Sequence, residues 1–309
     1  MSFSGEVKKE LALKTGIPDH CRRAELAALF QCGGRLCTDS EGKKSIIFSS
    51  ENAEIVKKCF TFLTKSYKIA LLLPEEYLDD RNRTEYVLTV TDGESVERIL
   101  SDLGFFENPE QLRRILEKPC CKRAYIRGLF LMNGSITDPA KGYHWELKVP
   151  GEQEAEQVLS ILAEFGITPK QTTRKGQHYL YLKEGSETGD MLTLTEATNA
   201  LLKFEEQRVL RETRGIINRR VNCECANLNK TLSASGKQIA GIEYIRDTVG
   251  FDSLPENLVE LAELRLEHPT ASLSELGEML HPALGRSGVN HRLQKLMSIA
   301  EDFMRRMNQ

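Results

Sequence analysis

Residues 21–34 read Cys-Arg-Arg-Ala-Glu-Leu-Ala-Ala-Leu-Phe-Gln-Cys-Gly-Gly, and residues 121–134 read Cys-Lys-Arg-Ala-Tyr-Ile-Arg-Gly-Leu-Phe-Leu-Met-Asn-Gly. At an offset of 100, Cys21/Cys121, Arg23/Arg123, Ala24/Ala124, Leu29/Leu129, Phe30/Phe130 and Gly34/Gly134 are identical. Arg22/Lys122 and Leu26/Ile126 are close. An ungapped match of this density marks an internal duplication. Each copy mixes apolar with small residues, Ala27, Ala28 and Gly128, and ends in a glycine suited to stop a helix. Small residues on a helix face let two backbones approach, so the two copies can pair as the dyad of one domain.

The flanks repeat as well. Strand-like runs follow each copy, Lys44–Ser49 in the first half and Tyr143–Val149, with apolar residues at every second position, in the second. Amphipathic helices follow, near Ala53–Thr64 with Ile55, Val56, Cys59, Phe60 and Leu63 on one stripe, and near Gln153–Phe165 with Ala155, Val158, Leu159 and Leu162. Strands return at Tyr86–Val90 and His178–Leu182. Each half reads α-β-β-α-β-β-α, which predicts an α+β domain with a pseudo-twofold axis over residues 1–205, its lobes about 1–105 and 106–205.

The C-terminal third has a different composition. Residues 191–246 lack proline and strong strand patterning, and Leu201, Leu202, Phe204, Val209, Leu210, Ile216 and Ile217 give interrupted helical periodicity; 206–251 reads as a helical, basic linker region. On an ideal helix Arg208, Arg211 and Arg219 share one face and are candidate phosphate contacts. The Asn-, Ser- and Lys-rich stretch Asn222–Gly236 reads as a linker.

Residues 252–309 read as an all-α unit. Pro255, preceded by Asp252 and Ser253, opens a helix that Pro269 closes. Ser272-Leu-Ser-Glu275 is a capping box, and its short helix runs through Leu280. His281-Pro282 breaks it, Gly285 allows a sharp turn, and Ser287 is expected to cap a longer helix. There Val289, Leu293, Leu296, Met297, Ala300 and Phe303 form one apolar stripe. Short helix, tight turn and longer helix with a polar N-terminal face make a helix-turn-helix, about Ser272–Met304. Its candidate DNA-binding residues are Arg286, Ser287, Asn290, His291, Gln294 and Lys295: Arg and Lys suit phosphate or guanine, Asn and Gln the adenine edge.

Composition sets the limits. The 309 residues carry 42 Lys+Arg against 45 Asp+Glu, a net charge of -3, which excludes coating nucleic acid by bulk charge but not a local basic site. The longest aliphatic run, Ile69–Leu73, is far short of a membrane span, and the N-terminus has no apolar signal region. Eight cysteines without such a signal fit a reducing cytoplasm. Cys120-Cys121 is adjacent and Cys223-Glu-Cys225 is C-x-C, so no C-x-x-C pair exists. No metal site and no cofactor are expected on that spacing.

Leu26–Gly34 and Ile126–Gly134 resemble the two copies of the LAGLIDADG motif of homing endonucleases, and the two-lobe pattern is similar to theirs. The resemblance implies motif helices paired at the lobe interface and two sheets forming a saddle for DNA. On such a saddle Lys43, Lys44, Arg81, Arg83, Lys141, Lys148, Lys170, Arg174, Lys175 and Lys183 are available to phosphates, or equally form a solvated face. In those nucleases the next-to-last motif residue is acidic and holds a divalent cation. Here those positions are Gly33 and Asn133, and the earlier acidic position is Gln31 and Leu131. A hard cation needs carboxylate oxygens to activate water on a phosphodiester. The motif is degenerate, no catalytic residue remains in it, and the chain is not expected to be an enzyme.

The whole chain is similar to a more specific family. The degenerate motif domain, then Asn218–Thr231, then Gln238–Ile245, then a helix-turn-helix resembles the bacterial WhiA family. That implies a nucleoid-associated, cytoplasmic transcription regulator acting on promoter DNA in cell division, chromosome segregation and, where it occurs, sporulation. A helix-turn-helix similar to sigma-factor region 4 implies RNA polymerase or a sigma factor as a further partner. The readings open beside it are a scaffold whose helical domain binds protein, and a metal-dependent endonuclease.

Overall fold

The computed structural model of the chain describes residues 2–78, 82–104 and 109–307. The chain divides into two compact units, Met1–Glu212 and Thr213–Gln309.

The first unit opens with helices α1 (Phe3–Leu13) and α2 (Asp19–Gly33), strands β1 (Gly34–Thr38) and β2 (Lys44–Ser50), and helix α3 (Ala53–Tyr67). Strands β3 (Glu75–Leu78) and β4 (Thr84–Val90) and helices α4 (Gly93–Leu103) and α5 (Pro109–Ile115) complete the first lobe. The second lobe holds α6 (Pro119–Asn133), β5 (Gly134–Ile136), β6 (Trp145–Val149), α7 (Glu152–Ala163), β7 (Lys170–Arg174), β8 (Gln177–Leu182) and α8 (Gly185–Thr195). Helix α9 (Thr198–Thr248) follows. The two α-β-β-α-β-β-α halves are thus present, and the α+β class holds. The sequence pattern did not reveal α1, capped by Ser2 and buried through Val7 and Leu11, or the short α5. Residues 105–108, where the sequence put the lobe boundary, lie outside the described residues.

Each lobe has one antiparallel sheet, ordered β1-β2-β4-β3 and β5-β6-β8-β7. Register pairs Ile46 with Val90 and Phe48 with Leu88 on the inner face of the first sheet. In the second, Trp145 pairs with Leu182 and Leu147 with Leu180. The repeated phenylalanines anchor the motif helices on these faces. Phe30 meets Phe48 edge-on with ring centroids 5.6 Å apart, and Phe130 stacks on Trp145 at 6.1 Å.

The motif helices α2 and α6 pack against each other at the centre of the core. Ala24, Ala28 and Ala124 are fully buried there. Three charges are sealed in with them: Glu25 is 0% exposed, Lys58 1% and Arg127 2%. The Lys58 ammonium lies 2.5 Å from Glu25 Oε1, while Arg127 donates to Glu25 Oε2 through Nε at 3.0 Å and pairs with it through Nη2 at 2.9 Å. Lys58 also donates to the Leu11 carbonyl at 2.6 Å. One buried carboxylate therefore pairs with a cation from each lobe, and Glu196 supplies Arg127 with a second carboxylate at 3.3 Å, the kind of pairing that burial of charge demands.

The second unit contains the later part of α9, a 3-10 turn at Phe251–Ser253, and helices α10 (Glu256–Glu267), α11 (Leu273–Met279) and α12 (Arg286–Met307). Ile242 and Ile245 of α9 join Leu258, Leu261, Leu276, Leu280, Val289, Leu293 and Leu296 in its core. Three details differ from the sequence reading. Asn222–Gly236, read as a linker, is helical throughout. It contains no proline, and its Ala, Leu, Glu and Lys residues offset the mild helix aversion of Asn and Ser. Pro255 is the N-cap of α10 instead of its first helical residue. Helix α12 starts at Arg286, with the Gly285 carbonyl accepting from the Val289 amide, so Ser287 lies in the first turn and is not the cap. The capping box forms as read: Glu275 N–H donates to Ser272 Oγ, and Ser272 N–H to Glu275 Oε2. No helix among the described residues is long and apolar enough to cross a membrane.

Candidate nucleic-acid interface

The turn between α11 and α12 is set by contact rather than by length. Leu284 N–H donates to the Gly277 carbonyl at 2.9 Å, folding the turn back onto α11. A Cβ at Gly277 would meet the Leu284 carbonyl oxygen at 2.0 Å. Only glycine allows that approach. From the turn, α12 leaves with Val289, Leu293 and Leu296 buried, and this fixes its outward face. Arg286, Ser287, Asn290, His291, Gln294 and Lys295 are all exposed.

Arg286 and Asn290 share a cavity with Lys230, Gln238 and Arg265. Arg265 is buried, donates to the Ala271 carbonyl at 2.7 Å, and has no hydrogen-bond partner for its Nε among the described residues. Burial lowers the pKa of its guanidinium. Three cations from three helices thus gather beside the start of α12. Lys230 and Arg265 were not among the residues singled out in the sequence. Lys230 lay hidden in the supposed linker, and nothing local to Arg265 marks it.

The three arginines of the α9 stripe are placed unequally. Arg208 pairs with Glu205 at 2.6 Å. Arg211 donates to the Pro139 carbonyl at 2.9 Å and lies over the Tyr143 ring, 4.8 Å from its centroid. Both serve the packing of the first unit. Arg219, in the second unit, is exposed. The apolar residues read alongside them split too: Phe204 is buried, while Val209, Leu210, Ile216 and Ile217 are exposed.

The outer faces of the two sheets also differ. On the second sheet, register aligns Lys170, Tyr181 and Glu146 in one row and Thr172, Tyr179 and Lys148 in the next. Arg174 lies over Tyr179 and Lys183 over Tyr181, 5.1 and 5.3 Å from the ring centroids, and Arg174 pairs with Glu146 at 2.9 Å. Cations interleaved with aromatics suit a nucleic-acid backbone and its bases. On the first sheet Lys44 pairs with Glu97 at 2.9 Å and Arg83 with Glu51. Lys43, Lys141 and Lys175 are exposed in turns. Arg81 lies outside the described residues.

Gly33 and Asn133 are the last residues of α2 and α6. A Cβ on Gly33 would lie 2.8 Å from the Ser49 carbonyl oxygen and 2.6 Å from Met132 Cε. The site thus has no carboxylate, and at Gly33 no room for one. Leu131 is buried, and Gln31 accepts a hydrogen bond from the Tyr125 hydroxyl. Among the described residues, one set of side chains is spaced to hold a metal: His20, Cys21, Cys120 and Cys121. The sequence expectation of no metal site considered ligand pairs within one segment, and these four come from two.

Three family models match the chain: the WhiA N-terminal LAGLIDADG-like domain over residues 19–106, the WhiA LAGLIDADG-like domain over 122–214, and the WhiA C-terminal HTH domain over 217–300. The probable cell division protein WhiA of Lachnoclostridium phytofermentans is 42% identical, covering 97% of this chain and 99% of its own length. That of Alkaliphilus metalliredigens is 40% identical, with 97% and 98% covered. The crystal structure of full-length DUF199/WhiA from Thermatoga maritima has the same fold, with a TM-score of 0.60 at 24% identity over 98% of this chain and 99% of that one. Two LAGLIDADG-like lobes followed by a helix-turn-helix, matched along nearly the full length by these relatives, place the chain in the WhiA family.

Proposed function

We propose that this chain is a DNA-binding transcription regulator that reads promoter sequence with the first half of α12. The observation that carries the proposal is the split of that helix: Val289, Leu293 and Leu296 are buried while Arg286, Ser287, Asn290, His291, Gln294 and Lys295 are exposed. Asn290 and Gln294 lie one turn apart and suit adenine edges, and Arg286 and Lys295 suit guanine or phosphate. Lys230 and Arg219 add phosphate contacts. Arg208 and Arg211, already partnered, remain in the proposed set as weaker contributors. The chain does not cleave DNA on this reading, because Gly33 and Asn133 offer no carboxylate for a hard cation.

The relatives' names support a role in cell division. The family resemblance extends the proposal to chromosome segregation and, where it occurs, sporulation. It also makes RNA polymerase or a sigma factor the protein partner, and the cytoplasmic nucleoid the location.

The test is a binding titration of Asn290→Ala and Gln294→Ala on a selected site and on scrambled duplexes, with circular dichroism to verify folding. Each should lose roughly 1–3 kcal/mol of preference for the selected site and little affinity for unrelated DNA. If both folded variants keep full preference, α12 is not the reader. A second reading, a protein-binding scaffold, then moves ahead. It is favoured by Ile217, Val221, Leu228 and Leu232, large exposed apolar residues whose spacing puts them on one stripe of α9.

A further inference from the structure

Helices α2 and α6 start side by side, and their first turns carry two metal-ligating residues each. His20 and Cys21 come from one, Cys120 and Cys121 from the other. His20 Nδ1 lies 3.2 Å from Cys121 Sγ, 3.3 Å from Cys21 Sγ and 3.9 Å from Cys120 Sγ. All four ligand atoms fall within 4.8 Å of one another. A tetrahedral zinc ion, with bonds of about 2.3 Å to sulfur and about 2.0 Å to imidazole nitrogen, holds such atoms about 3.5 to 3.8 Å apart. We propose that His20, Cys21, Cys120 and Cys121 form a structural site for a soft divalent metal, zinc by preference, which clamps the two motif helices together across the pseudo-twofold axis.

The donor set selects the metal. Three sulfurs and one imidazole offer nothing to magnesium or calcium, which take oxygen ligands, but make a complete tetrahedral shell for zinc. With four protein ligands the site is closed, which is the structural kind and leaves no position for a reacting water. Burial separates the roles. Cys21 and Cys121 are buried and form the inner wall, whereas His20 and Cys120 are exposed and leave a way in for the ion.

Electrostatics favours the same occupant. Three thiolates and a neutral imidazole around a divalent ion carry a net charge of minus one. That charge would stand at the converging N-termini of two helices of 15 residues each, whose dipoles and free N–H groups favour an anion. The thiolate is the ligand form of cysteine, so metal entry releases the thiol protons.

The duplication explains the composition. The offset of 100 that aligns Cys21 with Cys121 also aligns His20 with Cys120, so each half supplies two ligands from matching positions. Neither half holds a site alone, and the ion would join lobes that the ion network of Glu25, Lys58 and Arg127 also links.

The experiment is a titration of the full-length protein with cobalt(II), after chelation and under reducing conditions. The visible ligand-field and thiolate charge-transfer bands of tetrahedral cobalt should rise to one equivalent per chain and vanish on adding zinc. Cys120→Ser and His20→Ala alter exposed side chains and should fold normally. Each should change the spectrum and weaken binding by at least the roughly 10–100-fold that loss of a supporting partner already costs. Cys223→Ser, at an exposed cysteine outside the cluster, should leave both unchanged. The proposal is overturned if no tetrahedral spectrum develops. It is equally overturned if both exposed variants bind cobalt as the parent does, or if mass spectrometry finds these cysteines joined as disulfides under the same conditions.

Discussion

Gly128 of α6 lies so close to α2 that a Cβ on it would stand 2.7 Å from the Ala28 Cβ and 2.8 Å from the Glu25 carbonyl oxygen. The atoms it would strike are a backbone oxygen and a methyl fixed to the backbone, so neither can rotate away. The interface relaxes only if the helices separate, and separation also loosens the buried pairing of Glu25 with Lys58 and Arg127. Gly128→Ala should therefore destabilise the first unit by about 1–3 kcal/mol even though alanine is the better helix former. Urea unfolding followed by circular dichroism measures this, and an unchanged or raised midpoint would mean that the helices do not meet at this position.

The buried lysine makes stability depend on pH in a defined direction. Burial pulls Lys58 down to about 8 from an ordinary value of 10.5, against the opposing attraction of Glu25. Between those values the unfolded chain holds a proton that the folded chain has released, so this group's contribution to stability rises with pH. Below that window both states are charged and the contribution stays at its lower level. The burial-raised thiols of Cys21, Cys32 and Cys59 act in the opposite sense, so a variant isolates the lysine. Relative to Lys58→Met, the parent chain should gain stability on going from about pH 7.5 to about pH 9.5. Denaturant unfolding of both proteins at the two pH values tests this. A constant difference would show that Lys58 titrates in the fold as it does in water.

What could be read from the sequence was local or exactly repeated in the chain. Ser272 and Glu275 interact across one helical turn, and the alternation of Trp145, Leu147 and Val149 is visible in the strand itself. The pairing of α2 with α6 was legible because the duplication writes it twice. Tertiary contacts that the duplication does not repeat were not legible. The Asn and Ser residues of 222–236 favour turns locally, yet the segment lies within α9, and Lys230 went unnoticed with it. His20 and Cys21 meet Cys120 and Cys121 only through helix pairing, so a search for C-x-x-C spacing dismisses the adjacent Cys120 and Cys121 and never joins them to the other two. The outward set on α12 was readable because the apolar stripe defines its opposite face, whereas Arg265 enters the same cavity from α10.

The altered motif gives a prediction about chemistry. With Mg²⁺ or Mn²⁺ present, the purified chain should leave supercoiled DNA of varied sequence intact, because neither Gly33 nor Asn133 supplies a carboxylate. Gly33→Asp should not create a nuclease. Its side chain would begin 2.8 Å from the Ser49 carbonyl oxygen and drive α2 away from β2. Reduced stability with no cleavage is the expected pair of results. Specific nicking by the parent chain that disappears in Asn133→Ala would sink the inactive reading.

Gly277 joins the fold of the second unit to the proposed readout. It lies within α11, where alanine is the better helix former, so helix propensity alone predicts that Gly277→Ala stabilises. Packing predicts the reverse. A Cβ there would stand 2.0 Å from the Leu284 carbonyl oxygen and 3.2 Å from Val289 Cγ2, and the Gly277 carbonyl also accepts from the Leu284 amide. The turn would have to swing out, breaking that hydrogen bond and shifting the start of α12. The clash greatly outweighs the gain of about 1 kcal/mol in propensity, and a net loss of about 3 kcal/mol or more is expected. Because Arg286, Ser287 and Asn290 follow the turn directly, any fraction that still folds should present them out of register. Gly277→Ala should therefore lose sequence preference in DNA binding more completely than Asn290→Ala, which removes one contact and leaves the frame intact. Thermal unfolding and binding titrations on selected and scrambled duplexes measure both effects together. A Gly277→Ala protein with parental stability and undiminished preference would show that the α11–α12 turn does not set the reading helix.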